Sequence, residues 1–260
     1  MKKNNRRYKV VIGIALLVVI CGAVLILSRK PKAPMVKPAV KPKVKIAIVI
    51  DDWGYNLNNL GYLKEIRYPL TLAVLPNLHY SRKISQEGSL LGFEIILHLP
   101  MEPLENLRLE KNTITASMEK AKISMIIKQD LENMVNVRGV SNHMGSKVTR
   151  DERVMSIVFK ELKKKNLYFL DSFVTPASVC AGLAKDSHLP FAERDIFLDN
   201  KEERSYIIRQ LNKLKVKAKI NGYAIGIGHD RKNTLSVLKE AMSQMEKEGY
   251  KFVFVSELAK

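Results

Sequence analysis

Two absences restrict this chain before any motif is sought. Cysteine is scarce: only Cys21 and Cys180 occur in 260 residues, and Cys21 sits inside an apolar run. That excludes a disulfide-built scaffold and leaves the redox compartment open. Acidic residues are missing from residues 1–43, which carry 11 Lys and Arg. The formal charge of +18 therefore belongs mostly to this leader, because the remainder holds 33 basic against 26 acidic residues. No recognition motif accompanies the charge, so nucleic acid is not expected as a partner. Internal repeats are absent too. Gly226-Ile227-Gly228 lacks the third glycine and the later ribose-binding acid of a dinucleotide fingerprint.

Charge is also missing from Val10 to Leu27, 18 residues that would span about 27 Å as a helix, close to the hydrocarbon thickness of a bilayer. The run predicts an N-terminal transmembrane anchor within residues 1–30. A cleaved signal peptide is the rival, since Cys21-Gly22-Ala23 offers small residues, but the apolar run outlasts a usual signal core. The bulky Ile20 before Cys21 disfavours lipidation. Lysines and arginines flank the run on both sides, so charge alone does not orient it. Residues 31–43 alternate proline with lysine, which predicts an extended spacer. One domain is expected over 44–260.

Within that domain short apolar runs alternate with helical periodicity. Lys45–Ile50, Leu70–Leu75, Phe93–Leu97, Tyr168–Leu170, Ala224–Ile227 and Phe252–Val255 have strand length and β-branched or aromatic character. Amphipathic helices are expected over Leu57–Glu65, Lys120–Val135, Glu152–Lys165, Glu202–Leu214 and Thr234–Glu248. Alternation of this kind implies a mostly parallel sheet, and continuous rather than alternating apolar strands imply cover on both faces.

The polar residues fall where such a fold builds sites. Asp51-Asp52 follow the first run and His98 follows FEIIL. Asn142-His143 follow Val137–Val140 and Ser141, Asp171-Ser172 follow YFL, and His229 follows AIGIG. In a parallel α/β barrel these positions gather at the carboxyl mouth. Taken singly, the Asp pair reads as turn and capping chemistry, and a lone histidine as a satisfied hydrogen-bonding group. Two histidines with a carboxylate at one mouth read as a metal site. His79 and His188 lie in loop-like contexts and receive no role. Trp53 and Met101 read as pocket wall or core, and Lys163–Lys165 as a solvated helix end.

In order, IAIVIDDWGYN, LAVLPN, HLPMEP, GVSNHMGS, YFLDS, RDIFLD and IGH resemble the divergent polysaccharide deacetylase family, a branch of the NodB-type deacetylases. The resemblance implies a distorted (β/α) barrel of about seven strands with a divalent metal, zinc being the expected ion, at its mouth. It implies Asp51 as general base, Asp52, His98 and His143 as metal ligands, and His229 as general acid. Asp171 and Arg194 would support the catalytic group, as would Asp195 and Asp199. Arg194 would either pair with Asp51 or brace Asp195. It further implies an acetylated envelope glycan as substrate, hydrolysed at an amide or ester, and a domain on the outer side of the membrane. One departure matters: NodB-type enzymes carry both metal histidines on one HxxxH segment, whereas here they lie 45 residues apart. Asp230 stands where the family often has proline. Two rival readings stay open, a glycan-binding module without turnover and a metal-dependent hydrolase of another bond. The sugar and the oligomeric state are not legible.

Overall fold

The computed structural model describes Lys9, Ile12 and residues 44–260. The expected anchor and spacer fall, apart from those two positions, outside the described residues. Among the described residues no helix is long and apolar enough to cross a membrane.

Nine strands form one sheet: β1 Val44–Trp53, β2 Thr71–Val74, β3 Glu94–Met101, β4 Val137–Met144, β5 Tyr168–Asp171, β6 Phe191–Glu193, β7 Ile196–Phe197, β8 Tyr223–His229 and β9 Tyr250–Val253. Their order is β6-β5-β4-β3-β2-β1-β8-β7, with β9 added beside β1, and every pairing is parallel. Only Arg194 and Asp195 separate β6 from β7, so one stretch of chain pairs with β5 and then with β8. The expected count of about seven is recovered when this interrupted stretch is taken as one strand and β9 as an outlier. Seven helices cover the sheet: α1 Leu60–Lys64, α2 Ser81–Leu90, α3 Lys120–Glu132, α4 Glu152–Lys164, α5 Cys180–Ser187, α6 Arg204–Asn221 and α7 Lys232–Lys247.

Strand alternation divides the apolar residues into two cores. Ile46, Ile48 and Ile50 of β1, with Ile95, Leu97 and Leu99 of β3, meet the helices. Ala47 and Val49 of β1, Ile96 of β3, Leu170 of β5 and Ile225 and Ile227 of β8 fill the barrel interior instead. Trp53 and Met101 are core residues, both fully buried. Local chemistry supports the elements: Asp151 caps α4 by accepting the Val154 N–H at 3.0 Å, and Val154, Met155, Val158, Phe159 and Leu162 give that helix its buried stripe.

Helices α2 and α5 carry no such stripe and were not expected. The buried face of α2 is Ser81, Ile84, Ser85 and Gly88, and that of α5 only Cys180 and Ala184. Small residues serve there because the sheet is close: a Cβ on Gly88 would stand 2.8 Å from Leu72 Cδ1.

On α3, Asp130 is fully buried, accepts from Asn77 Nδ2 at 2.7 Å and leaves Oδ2 without a partner. Burial raises its pKa from 3.8 to about 6, against the opposing bonds from Asn77 and Asn112. The fold therefore favours the neutral acid, and ionisation costs stability as pH rises from about 4 through 6. Asp130→Asn is expected to raise the melting temperature by a few degrees at pH 8 and to give no gain at pH 4. Thermal unfolding at the two pH values checks this.

Candidate active site

The barrel interior continues upward into a polar layer. On β3 the inward face runs Glu94, Ile96, His98, and on β8 it runs Ile225, Ile227, His229. Asp51 is the next inward residue of β1 after Val49, and pairing in register sets it beside His229. The same register sets Ser141 beside His98 and His143 beside Pro100. These histidines and aspartates lie inside their strands rather than after them. The apolar run ends where the interior turns polar, but the hydrogen-bonded ladder does not.

Asp52 breaks the alternation. As the neighbour of Asp51 it should point to the helix layer, yet its φ is +65° and the pairing of β1 with β2 is irregular between Ile50 and Trp53. A left-handed residue at a bulge re-aims the side chain, and Asp52 Oδ1 comes within 3.1 Å of His143 Nδ1 and 3.3 Å of His98 Nε2. Met144, the last residue of β4, and Phe173, two residues beyond β5, are left-handed as well.

Asp52, His98 and His143 each offer a ligand atom within 4.8 Å of the others. The donor set fits a divalent ion on two further grounds. Asp51 Oδ1, Asp52 Oδ1 and His143 Nε2 are buried without a hydrogen-bond partner, a costly arrangement for a site meant to stay empty. His98 Nδ1 is held by Ser141 Oγ at 2.8 Å, which fixes the ring and leaves Nε2 facing Asp52. Two imidazoles and a carboxylate are a ligand set that zinc accepts.

The electrostatics separate the two acids. Burial pushes Asp52 upward, but His143 and His98 outweigh it and hold the carboxyl well below the usual range. Asp51 is raised, by burial first and by the Asp52 charge in addition, with His98 and His229 opposing. Its Oδ2 lies 3.5 Å from His98 Nε2.

His229 stands on the neighbouring strand with about a quarter of its side chain exposed. Its Nδ1 meets Asp199 Oδ1 at 2.7 Å, while Asp199 Oδ2 accepts the His229 N–H and the Thr234 hydroxyl at 2.8 and 2.6 Å. Burial disfavours the imidazolium, but the Asp199 hydrogen bond and the charges of Asp199, Asp51 and Asp52 raise the pKa above that of an ordinary histidine. Phe197 stacks on the ring, centroids 6.1 Å apart, and the Arg194 guanidinium lies 3.7 Å above the other aromatic centre.

Arg194 takes neither of its two expected partners, and Asp171 lies beside the same segment. Arg194 donates through Nε to Ser172 O at 2.7 Å and through Nη2 to Phe173 O at 2.8 Å, so it pairs with neither Asp51 nor Asp195. Asp171 accepts the Phe173 N–H at 2.8 Å and the Ser178 hydroxyl at 2.6 Å. Among the described residues no hydrogen bond or ion pair joins either one to Asp51, Asp52, His98 or His143. Both brace the segment after β5. Asp195 is likewise structural, accepting the Ile225 N–H at 2.9 Å. His79 and His188 join no site.

Nothing in the residue string marks Ser141, Phe197 or the pairing of Asp199 with His229. Ser141 becomes significant only through lateral register across two parallel strands, which the residue string does not carry.

A model of the divergent polysaccharide deacetylase family matches residues 48–259. A relative from Escherichia coli, the uncharacterized protein YibQ, is 35% identical over 196 residues, which cover 75% of this chain and 61% of that one. The chain thus spans less than two thirds of that relative's length. An uncharacterized Agrobacterium tumefaciens protein of known crystal structure superposes with a TM-score of 0.79 at 24% identity, over 85% of this chain and 91% of that one. A peptidoglycan deacetylase from Bdellovibrio bacteriovorus shares the fold with a TM-score of 0.51 at 13% identity, over 82% and 52%. With its sheet, its mouth and the family match in agreement, this chain belongs to the divergent polysaccharide deacetylases.

Proposed function

We propose that the chain is a metal-dependent hydrolase that removes acetyl groups from an envelope glycan. One observation carries the reading. A three-ligand group, Asp52, His98 and His143, is flanked by an unpaired buried carboxylate at Asp51 and by the Asp199–His229 pair. When bound there, a divalent ion such as zinc supplies a Lewis acid for the acetyl carbonyl and makes water acidic enough to ionise near neutrality.

The chain's own residues do the proton work. Asp51, which makes no hydrogen bond through Oδ1, accepts the proton of the attacking water. His229, protonated and oriented through Nδ1 by Asp199, delivers a proton from Nε2 to the departing amine or alkoxide. Arg194 and Asp171 act at one remove as positioning residues, Arg194 by holding Phe197 against His229. The apolar run from Val10 to Leu27 supports an anchored protein, and a substrate in the envelope would put this domain on the outer side of the membrane.

The test is acetate release by the zinc-loaded full-length protein from N-acetylated chito-oligosaccharides and from peptidoglycan. A fully metallated protein that binds these glycans and frees no acetate overturns turnover in favour of a binding module. Metal content gives an independent reading: one ion per wild-type chain is expected, and His98→Ala and His143→Ala should each lower metal affinity at least about a hundredfold with the fold retained by circular dichroism.

A further inference from the structure

At the amino end of the barrel, away from the metal group, a cavity of about 780 Å³ opens between β3, β4, β5 and the segment after β9. Glu94 lines it from the inward face of β3, four residues before His98, a separation of about 13 Å along a strand. The residue is only 6% exposed. Glu94 Oε1 accepts from the hydroxyls of Tyr168 and Thr71, each at 2.8 Å, and from the Ser256 N–H at 3.3 Å. Its Oε2 accepts from none of the described residues, and no cation among them pairs with the carboxylate. Three neutral donors thus hold one oxygen of a nearly buried carboxylate that lines the cavity, and the other oxygen has no partner among the described residues. A buried anion without a counter-charge is costly unless a ligand brings one.

Arg138 lines the same cavity from β4. It is the extra residue of a register shift, lying between Val137, paired with Ile95, and Gly139, paired with Ile96. It is exposed and makes no hydrogen bond or ion pair with any described residue. Phe93, Pro190 and Phe254 add apolar wall to the same cavity.

We propose that this cavity is a second ligand site and that it takes a small zwitterion, a free amino acid. The ammonium group meets Glu94 Oε2, the carboxylate meets the fork of Arg138, and the side chain lies on the aromatic wall. Each charge lacks a counter-charge among the described residues, so a molecule carrying both an ammonium and a carboxylate satisfies the two at once. The proposal is independent of acetyl hydrolysis, because it uses none of the residues at the mouth.

The experiment is titration calorimetry of the full-length protein with L-phenylalanine. Phenethylamine and 3-phenylpropionate, which each lack one charge, and chitobiose, a neutral saccharide, serve as comparison probes. L-phenylalanine is expected to bind at least about tenfold tighter than either singly charged analogue, and Arg138→Ala and Glu94→Gln should each weaken it about tenfold or more, the usual weight of a charged hydrogen bond. Arg138 is exposed, so its variant keeps the test valid if Glu94→Gln disturbs the three donors. Undetectable binding of L-phenylalanine, equal binding by Arg138→Ala, or preferential binding of chitobiose overturns the proposal. The last outcome assigns the cavity to saccharide.

Discussion

Asp51→Asn is expected to keep a full complement of metal and to lose turnover by about 10²–10⁴-fold, the usual contribution of a positioned general base. Its neighbour should behave in the opposite sense. Asp52→Asn is expected to lose the metal, and activity with it, while folding normally. The two acids are adjacent and both are largely buried, yet their pKa values move in opposite directions. Geometry separates them too. Asp52 Oδ1 stands within 3.3 Å of both imidazoles, whereas Asp51 approaches only His98, at 3.5 Å, and keeps an oxygen free of any partner. Asparagine is chosen at both sites for a reason. It tolerates the left-handed backbone that residue 52 adopts, so loss of metal reports loss of charge and not of strain. Metal content by plasma emission, measured beside acetate release, decides. Metal loss in Asp51→Asn, or a full complement in Asp52→Asn, exchanges or abolishes the two roles.

That pair also shows what the residue string carries and where it stops. Asp51 is readable, because period-2 alternation from Ala47 and Val49 carries it into the barrel. By the same rule Asp52 is excluded from the mouth, and only a positive φ at a register irregularity admits it. The family resemblance supplied what periodicity denied. His98 is readable as the residue at which the apolar run of β3 turns polar, whereas His143, 45 positions on, follows only the short run Val137–Val140 and is read with it through the family resemblance. Arg194 shows the opposite failure. A cation in a polar motif invites pairing with an acid, but its guanidinium holds two main-chain carbonyls and an aromatic face, partners that residue identity does not announce. The same holds for α2 and α5, whose buried faces of serine, glycine and alanine carry no apolar period.

Removing the Asp199 charge should move the alkaline limb of the pH–rate profile to lower pH while leaving the acid limb in place. The sign follows from which form of each group works. His229 must be protonated to deliver a proton, so activity is lost as pH rises through its pKa, which the Asp199 hydrogen bond and charge raise. Asp51 must be ionised, so activity is lost as pH falls through its own pKa, which burial raises. Asp199→Asn withdraws support from the imidazolium alone. At pH 8 the loss should reach about tenfold or more, whereas His229→Ala, which removes the acid entirely, should cost about 10²–10⁴-fold wherever the wild-type imidazole is protonated, less as pH rises past its pKa, and keep the metal. Stability gives a second readout with the same sign. The raised pKa of His229 contributes stability that is complete below about 6.5 and lost as pH rises through the folded value. Asp199, whose pKa the His229 bond lowers against burial, contributes stability present above about 3.8 and lost as pH falls through the folded value. The gap in melting temperature between wild type and Asp199→Asn should therefore be widest between these limits and narrow on both sides. An alkaline limb that stays put in Asp199→Asn would remove His229 from the role of proton donor. Metal loss in His229→Ala would instead make it a ligand, despite the Nδ1 bond that turns the ring toward Asp199.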